Sequence, residues 1–162
     1  MTPEMVAKAR DNARRVEASN VEFRLGEIEH LPVPDATVDA ILSNCVINLS
    51  PDKAAVFREA FRVLRPGGRL AISDVVAIQP LPPELAESVE ALTGCIAGSA
   101  SIDQLRSLLA DAGFEAVQIQ PRSETGGLIA QWMPGAEDYV VSATIEARRP
   151  GSASCCAPSC CS

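Results

Sequence analysis

One unit constrains the fold more than any other. An apolar run, Val38, Ala40, Ile41 and Leu42, leads into the loop Ser43-Asn44-Cys45-Val46-Ile47-Asn48-Leu49. A helix follows, started by Pro51 and Asp52 and striped with Ala55, Val56, Ala60, Phe61 and Leu64. The turn Leu64-Arg65-Pro66-Gly67-Gly68 stops it, because proline and paired glycines cannot continue a helix, and a strand runs from Arg69 to Val76. Strand, helix, strand with so short a return is a crossover unit. It implies an α/β domain built on a parallel sheet covered on both faces.

The flanking segments extend the same rhythm. Thr2-Pro3-Glu4 supplies an N-cap, a first-turn proline and an early acid, and Met5, Val6, Ala9, Ala13 and Val16 recur at helical spacing. Val21, Phe23 and Leu25 alternate with Glu22 and Arg24, which predicts a short strand ended by Gly26. Beyond Pro80, Pro82 and Pro83, helices are predicted over Glu84–Leu92 and Ile102–Ala112, placed to cap the crevice beyond the strands. Phe114–Ile119 and Asp138–Ala147 alternate as strands of an antiparallel edge. From Pro150 onward Gly, Ser, Ala, Pro and Cys dominate, the composition of a tail that is disordered without a bound ion. The chain therefore divides into residues 1–79 as sheet core, 80–149 as substrate-side helices and edge strands, and 150–162 as a Cys-rich tail.

Composition narrows the function. A net charge of -7 with scattered basic residues excludes a nucleic-acid or anionic-lipid surface. No stretch reaches the roughly 18 apolar residues of a membrane span, and the N-terminus lacks the regions of a signal peptide. The expected compartment is the cytoplasm, where six cysteines stay reduced and bind soft ions or react. Cys45 and Cys95 lie singly in the body. Cys155, Cys156, Cys160 and Cys161 crowd the last eight residues, in a Cys-Cys-x3-Cys-Cys pattern that does not match a zinc knuckle.

Cys45 is placed where open α/β sheets bind ligands, beyond the carboxyl end of a strand. A free cysteine is otherwise most often a small buried apolar side chain. Cys95 lies between Gly94 and Gly98, a loop pattern rather than a packed helix. His30 reads as a loop surface residue and Trp132 as part of the core. A doubly wound nucleotide-binding sheet opens with a strand, a glycine-rich turn and an acid that holds the ribose, and no G-x-G-x-x-G occurs here. The chain reads as the C-terminal part of such a sheet, with a complete small α/β domain of another type as the alternative.

Several strings resemble the arsenite S-adenosylmethionine methyltransferases, of the class I, Rossmann-like methyltransferase superfamily. Ser43-Asn44-Cys45-Val46-Ile47-Asn48-Leu49 is the most family-specific. Met1-Thr2-Pro3-Glu4-Met5 is similar to the segment after the ribose-binding acid, and Gly26-Glu27-Ile28-Glu29-His30-Leu31-Pro32 to the adenine-side loop. Gly94-Cys95-Ile96-Ala97-Gly98 resembles a second substrate-cysteine segment, and the terminal cysteine pairs resemble bacterial tails. Leu64-Arg65-Pro66-Gly67-Gly68-Arg69 is shared by many class I methyltransferases and says little about substrate.

The resemblance implies a partial Rossmann-like sheet with a small C-terminal α+β substrate-side region. It implies Cys45 and Cys95 as catalytic ligands of trivalent arsenic, joined by a further cysteine before Met1. Met1, Gly26, Glu27, Ile28 and Asn44 would stand on the S-adenosylmethionine side, and Cys155, Cys156, Cys160 and Cys161 would capture soft ions. The substrate would be arsenite as a thiol complex, and thioredoxin or glutathione would act as the thiol reductant. Two other readings stay open: a non-catalytic arsenic- or metal-binding module, and a methyltransferase fragment acting on a small organic substrate such as a quinone.

Overall fold

The structure, a computed structural model, describes residues 2–88, 91 and 95–151. Helix α1 spans Pro3–Arg15; the Thr2 hydroxyl accepts from Met5 N at 3.3 Å, and Pro3 fills the first turn, where no N–H is needed. Strand β1, Val38–Asn44, leads through a 3-10 turn at Ile47–Leu49 to helix α2, Lys53–Val63. Asp52 caps α2, its carboxylate accepting from Ala55 N at 2.8 Å. Strand β2, Leu64–Ala77, returns parallel to β1.

The glycines of the return are required by geometry. Between the Val38–Leu64 and Ala40–Arg69 pairings β2 bulges, and Gly67 sits at φ +81°. A side chain on Gly68 would lie 2.8 Å from the Arg65 carbonyl. Across the bulge Arg149 N donates to Gly68 O at 2.9 Å, and its guanidinium donates to the carbonyls of Phe61, Arg62 and Leu64. One arginine from the far end of the chain thus joins Ala36 N and Thr37 N in satisfying the carbonyls that α2 leaves open at its C-terminus.

After a short helix α3, Pro83–Ala86, come helix α4, Ile102–Asp111, strand β3, Glu115–Arg122, helix α5, Gly126–Trp132, and strand β4, Val140–Arg148. The sheet order is β1-β2-β4-β3, with β4 antiparallel to both neighbours. Leu70, Ile72 and Val76 of β2 point inward opposite Ala147, Ile145 and Val141, under Val56, Phe57 and Ala60 of α2 and Leu105 and Leu109 of α4. Phe114 meets Phe61 edge to face at 5.4 Å, and Arg149 covers that ring at 4.6 Å. A smaller cluster, Val75, Ile96, Ile129, Ala136 and Val140, sits at the carboxyl end of the other face.

Four expectations are corrected. Val21–Leu25 forms no strand: it has no partner strand among the described residues, Val21 and Leu25 are exposed, and Glu22 pairs instead with Arg24. Alternation without a sheet to bury it against does not make a strand. The helix expected from Glu84 is only Pro83–Ala86 where it is described continuously; residues 89, 90 and 92 lie outside the described set. Among the described residues the sheet is covered only in part on its second face: α2 and α4 share one side, the Ile129 cluster covers the carboxyl end of the other, and Ala40, Leu42, Ala71 and Gln118 line an open hollow there, Leu42 being 83% exposed. Trp132 is 68% exposed rather than in the core, because Ile129 takes the inward position of its short helix.

Phe57→Ala should destabilise the fold by about 3–5 kcal/mol, whereas Leu42→Ser should change it by less than about 0.5 kcal/mol. Urea unfolding of both variants measures the contrast.

Candidate functional site

The carboxyl ends of β1 and β2 carry the chemistry. Cys45 follows β1 directly, its N–H donating to Ser73 O of β2 at 3.0 Å, and its backbone lies at φ 51°. Cys95 lies at φ 62° in the segment before α4. A left-handed conformation is uncommon for a residue with a side chain, and both cysteines adopt it. The two turns face each other: Cys95 Sγ donates to the Cys45 carbonyl at 3.0 Å. Residues 50 apart in sequence thus present two free thiols at one point, Cys45 exposed and Cys95 only 5% exposed.

Beneath the thiols lies an acid that the sequence reading did not single out. Asp74 continues the inward row of β2, after Leu70 and Ile72, and is 3% exposed. Its carboxylate accepts from Ile47 N at 3.2 Å, Val75 N at 2.8 Å and Asn48 Nδ2 at 2.9 Å. Asn48, 4% exposed, also donates through Nδ2 to the carbonyls of Val75 at 2.6 Å and Cys95 at 3.0 Å. Three oxygens around one nitrogen fix the orientation of this amide, since flipping it would set oxygen against oxygen. The available signal was an acid at the parity of an apolar row, where a lone charge is costly unless hydrogen-bonded.

The electrostatics follow from burial. Desolvation pushes the Asp74 carboxyl up, against the pull of its backbone donors and of Lys53. Burial lowers the Lys53 ammonium, and Asp74 opposes that shift. Desolvation and the nearby Asp74 charge raise the Cys45 thiol, while its hydrogen bond with Cys95 lowers it. Cys95 is pushed up to about 11 by desolvation, then by Asp74 and Cys45. Both sulfurs are accordingly thiols at neutral pH, suited to condensing with a neutral oxyacid of a soft element with loss of water.

Beside the thiols a groove of about 310 Å³ opens between β1, α2 and the loop after Gly26, lined by Ile28, Leu31, Asn44, Val46 and Ile47 among others. Ile28 and Asn44, both expected near a cofactor, meet there. Gly26 and Glu27 do not line it: Glu27 bridges to His30, and a side chain on Gly26 would strike the Pro32 ring at 2.5 Å. His30 is exposed, as expected. Met1, Cys155, Cys156, Cys160 and Cys161 lie outside the described residues. Among the described residues no three His, Cys, Asp or Glu side chains gather as a metal cage.

A family model described as a methyltransferase domain matches residues 1–113. Arsenite methyltransferase of Halobacterium salinarum is 53% identical over 152 residues, which cover 93% of this chain and 39% of that protein. An arsenic(III) S-adenosylmethionine methyltransferase structure from Chlamydomonas reinhardtii superposes with a TM-score of 0.70 at 31% identity, covering 93% of this chain and 53% of that one. The chain belongs to the methyltransferase-domain family. It spans about two-fifths of the length of that Halobacterium relative. At the level of fold alone, phosphoethanolamine N-methyltransferase 2 of Haemonchus contortus, in complex with S-adenosyl-L-methionine, superposes with a TM-score of 0.75 at 16% identity, covering 90% of this chain and 41% of that one. Within this methyltransferase-domain chain, the string around Cys45 and the loop of Cys95 are the two segments that meet.

The buried acid has a measurable signature. Because the folded state raises the Asp74 carboxyl above its ordinary 3.8, its contribution to stability is full below that pH and is lost as pH rises through the folded value. Asp74→Asn removes this dependence. Urea unfolding at pH 3.5 and pH 7 should therefore show the parent losing stability relative to Asp74→Asn at the higher pH.

Proposed function

We propose that this chain carries the arsenic-holding side of an arsenite methyltransferase. The observation that supports it most is the meeting of the Cys45 and Cys95 thiols at the carboxyl ends of the parallel strands. Arsenous acid condenses with the two thiols, forming two As–S bonds and releasing two molecules of water. Sulfur is the matching donor for a soft centre. The bound arsenic keeps its lone pair, and transfer then depends on alignment more than on acid–base help.

The groove beside the thiols suits part of the methyl donor. Ile28, Leu31 and Val46 give an apolar wall for a purine ring, and Asn44 stands at the strand end for the polar amino-acid portion. When bound, S-adenosylmethionine would supply an electrophilic methyl on a sulfonium, whose S–CH3 bond breaks to leave the neutral thioether S-adenosylhomocysteine. Gly26, Glu27 and Met1 belong to the same cofactor side in this reading.

Methylation oxidises arsenic by two electrons, so a thiol reductant, thioredoxin or glutathione, must return it to the trivalent state while two thiols become a disulfide. The terminal pairs Cys155-Cys156 and Cys160-Cys161 gather arsenite by the same chemistry. Free thiols at Cys45 and Cys95 fit a cytoplasmic protein. Among the described residues no helix is long and apolar enough to cross a membrane.

In a chain with Cys155, Cys156, Cys160 and Cys161 replaced by Ser, equilibrium dialysis should show one arsenite per chain. Adding Cys45→Ser should weaken that binding about hundredfold, the loss expected when a chelate becomes a single bond. Undiminished binding without Cys45 would contradict the reading.

A further inference from the structure

We propose that Asn48, held by Asp74, is the positioning residue that sets the Cys45 and Cys95 thiols at chelating separation. This rests on the two-thiol reading above and adds what holds the thiols together. The turns that bear them come from distant parts of the chain. No backbone ladder joins them, and the Cys95 Sγ–H donates across the gap to the Cys45 carbonyl. Asn48 spans it: three residues after Cys45, its amide donates to the carbonyl of Cys95 itself at 3.0 Å.

The span is rigid because the amide is anchored below. Asp74 Oδ1 and the Val75 carbonyl accept from the same nitrogen, while Asp74 Oδ2 takes Ile47 N, the residue before Asn48. Two amide hydrogens serve three acceptors, so one is shared. Asn48 is thereby tied to β2 by side chain and to the Cys95 turn by the same group. Asp74 touches neither sulfur by a recorded hydrogen bond and acts through Asn48.

Gly98 shows how closely the turns approach. A side chain there would lie 2.0 Å from the Asn48 carbonyl, against backbone that cannot swing aside. Any residue larger than glycine must push the Cys95 loop away from Asn48. The asparagine, the acid and the glycine thus form one device with one output, the distance between two sulfurs.

The ligand class is a trivalent arsenical able to form two bonds to sulfur. Phenylarsine oxide reports on this directly, since it condenses with two thiols to form two As–S bonds and one water. A monofunctional organomercurial counts thiols without requiring them to be close. The test uses the full chain with Cys155, Cys156, Cys160 and Cys161 replaced by Ser, and then Asn48→Ala, Asp74→Asn, Gly98→Ala, Cys45→Ser and Cys95→Ser in turn.

Asn48→Ala, Asp74→Asn and Gly98→Ala should each weaken phenylarsine oxide binding by about tenfold or more, through loss of the effective concentration of the second thiol. Each should retain two mercurial-reactive thiols and a cooperative unfolding transition. A merely structural role would move unfolding and binding together, and Asp74→Asn separates them because it removes a buried charge. If the two Cys→Ser variants lose the arsenical while the three others bind as the parent does, the positioning role is overturned and the two-thiol reading stands. If Cys45→Ser and Cys95→Ser bind as the parent does, both fall.

Discussion

A carboxylate buried under the end of a sheet must find donors, and Asp74 finds them in the residues that carry the site. Its three partners are the backbone of Ile47, the amide of Asn48 and the backbone of Val75. Satisfying the acid therefore folds the loop after β1 onto the end of β2. That loop presents Cys45, and Asn48 reaches across to the turn that presents Cys95. The site is in this sense the solution to a buried charge.

The arrangement has an energetic cost that the rest of the fold offsets. Two cysteines in left-handed conformations and a desolvated acid each act against stability, by about 1 kcal/mol or more apiece. The compensating core lies a few residues away. Phe57, Leu64, Ile72 and Ile145 are fully buried, and the aromatic pair of Phe61 and Phe114 is closed by Arg149. Strain sits at the crevice and packing sits under it, the usual division between a functional site and its scaffold.

The sequence disclosed the parts whose signals are local. Thr2 and Asp52 cap helices in the structure, Pro66-Gly67-Gly68 makes the return, and the apolar periods of α2, α4 and β1 hold to within a few residues. The Cys45 string carried the family, and Cys95 its partner segment. What failed was what depends on neighbours. Val21, Phe23 and Leu25 have the alternation of a strand, but only a second strand could make them one. Trp132 has the character of a core residue, yet its short helix turns Ile129 inward instead. Asp74 was passed over because its meaning lies in register: only opposite Ala143, in the row of Leu70 and Ile72, is it an acid inside a core.

The central claim is that one trivalent arsenic is held by the sulfurs of Cys45 and Cys95 together. Arsenic K-edge X-ray absorption of the arsenite-loaded chain, with the four tail cysteines replaced by serine, counts those bonds. The account predicts two sulfur neighbours and one oxygen around each arsenic. A first shell of one sulfur or none would contradict it.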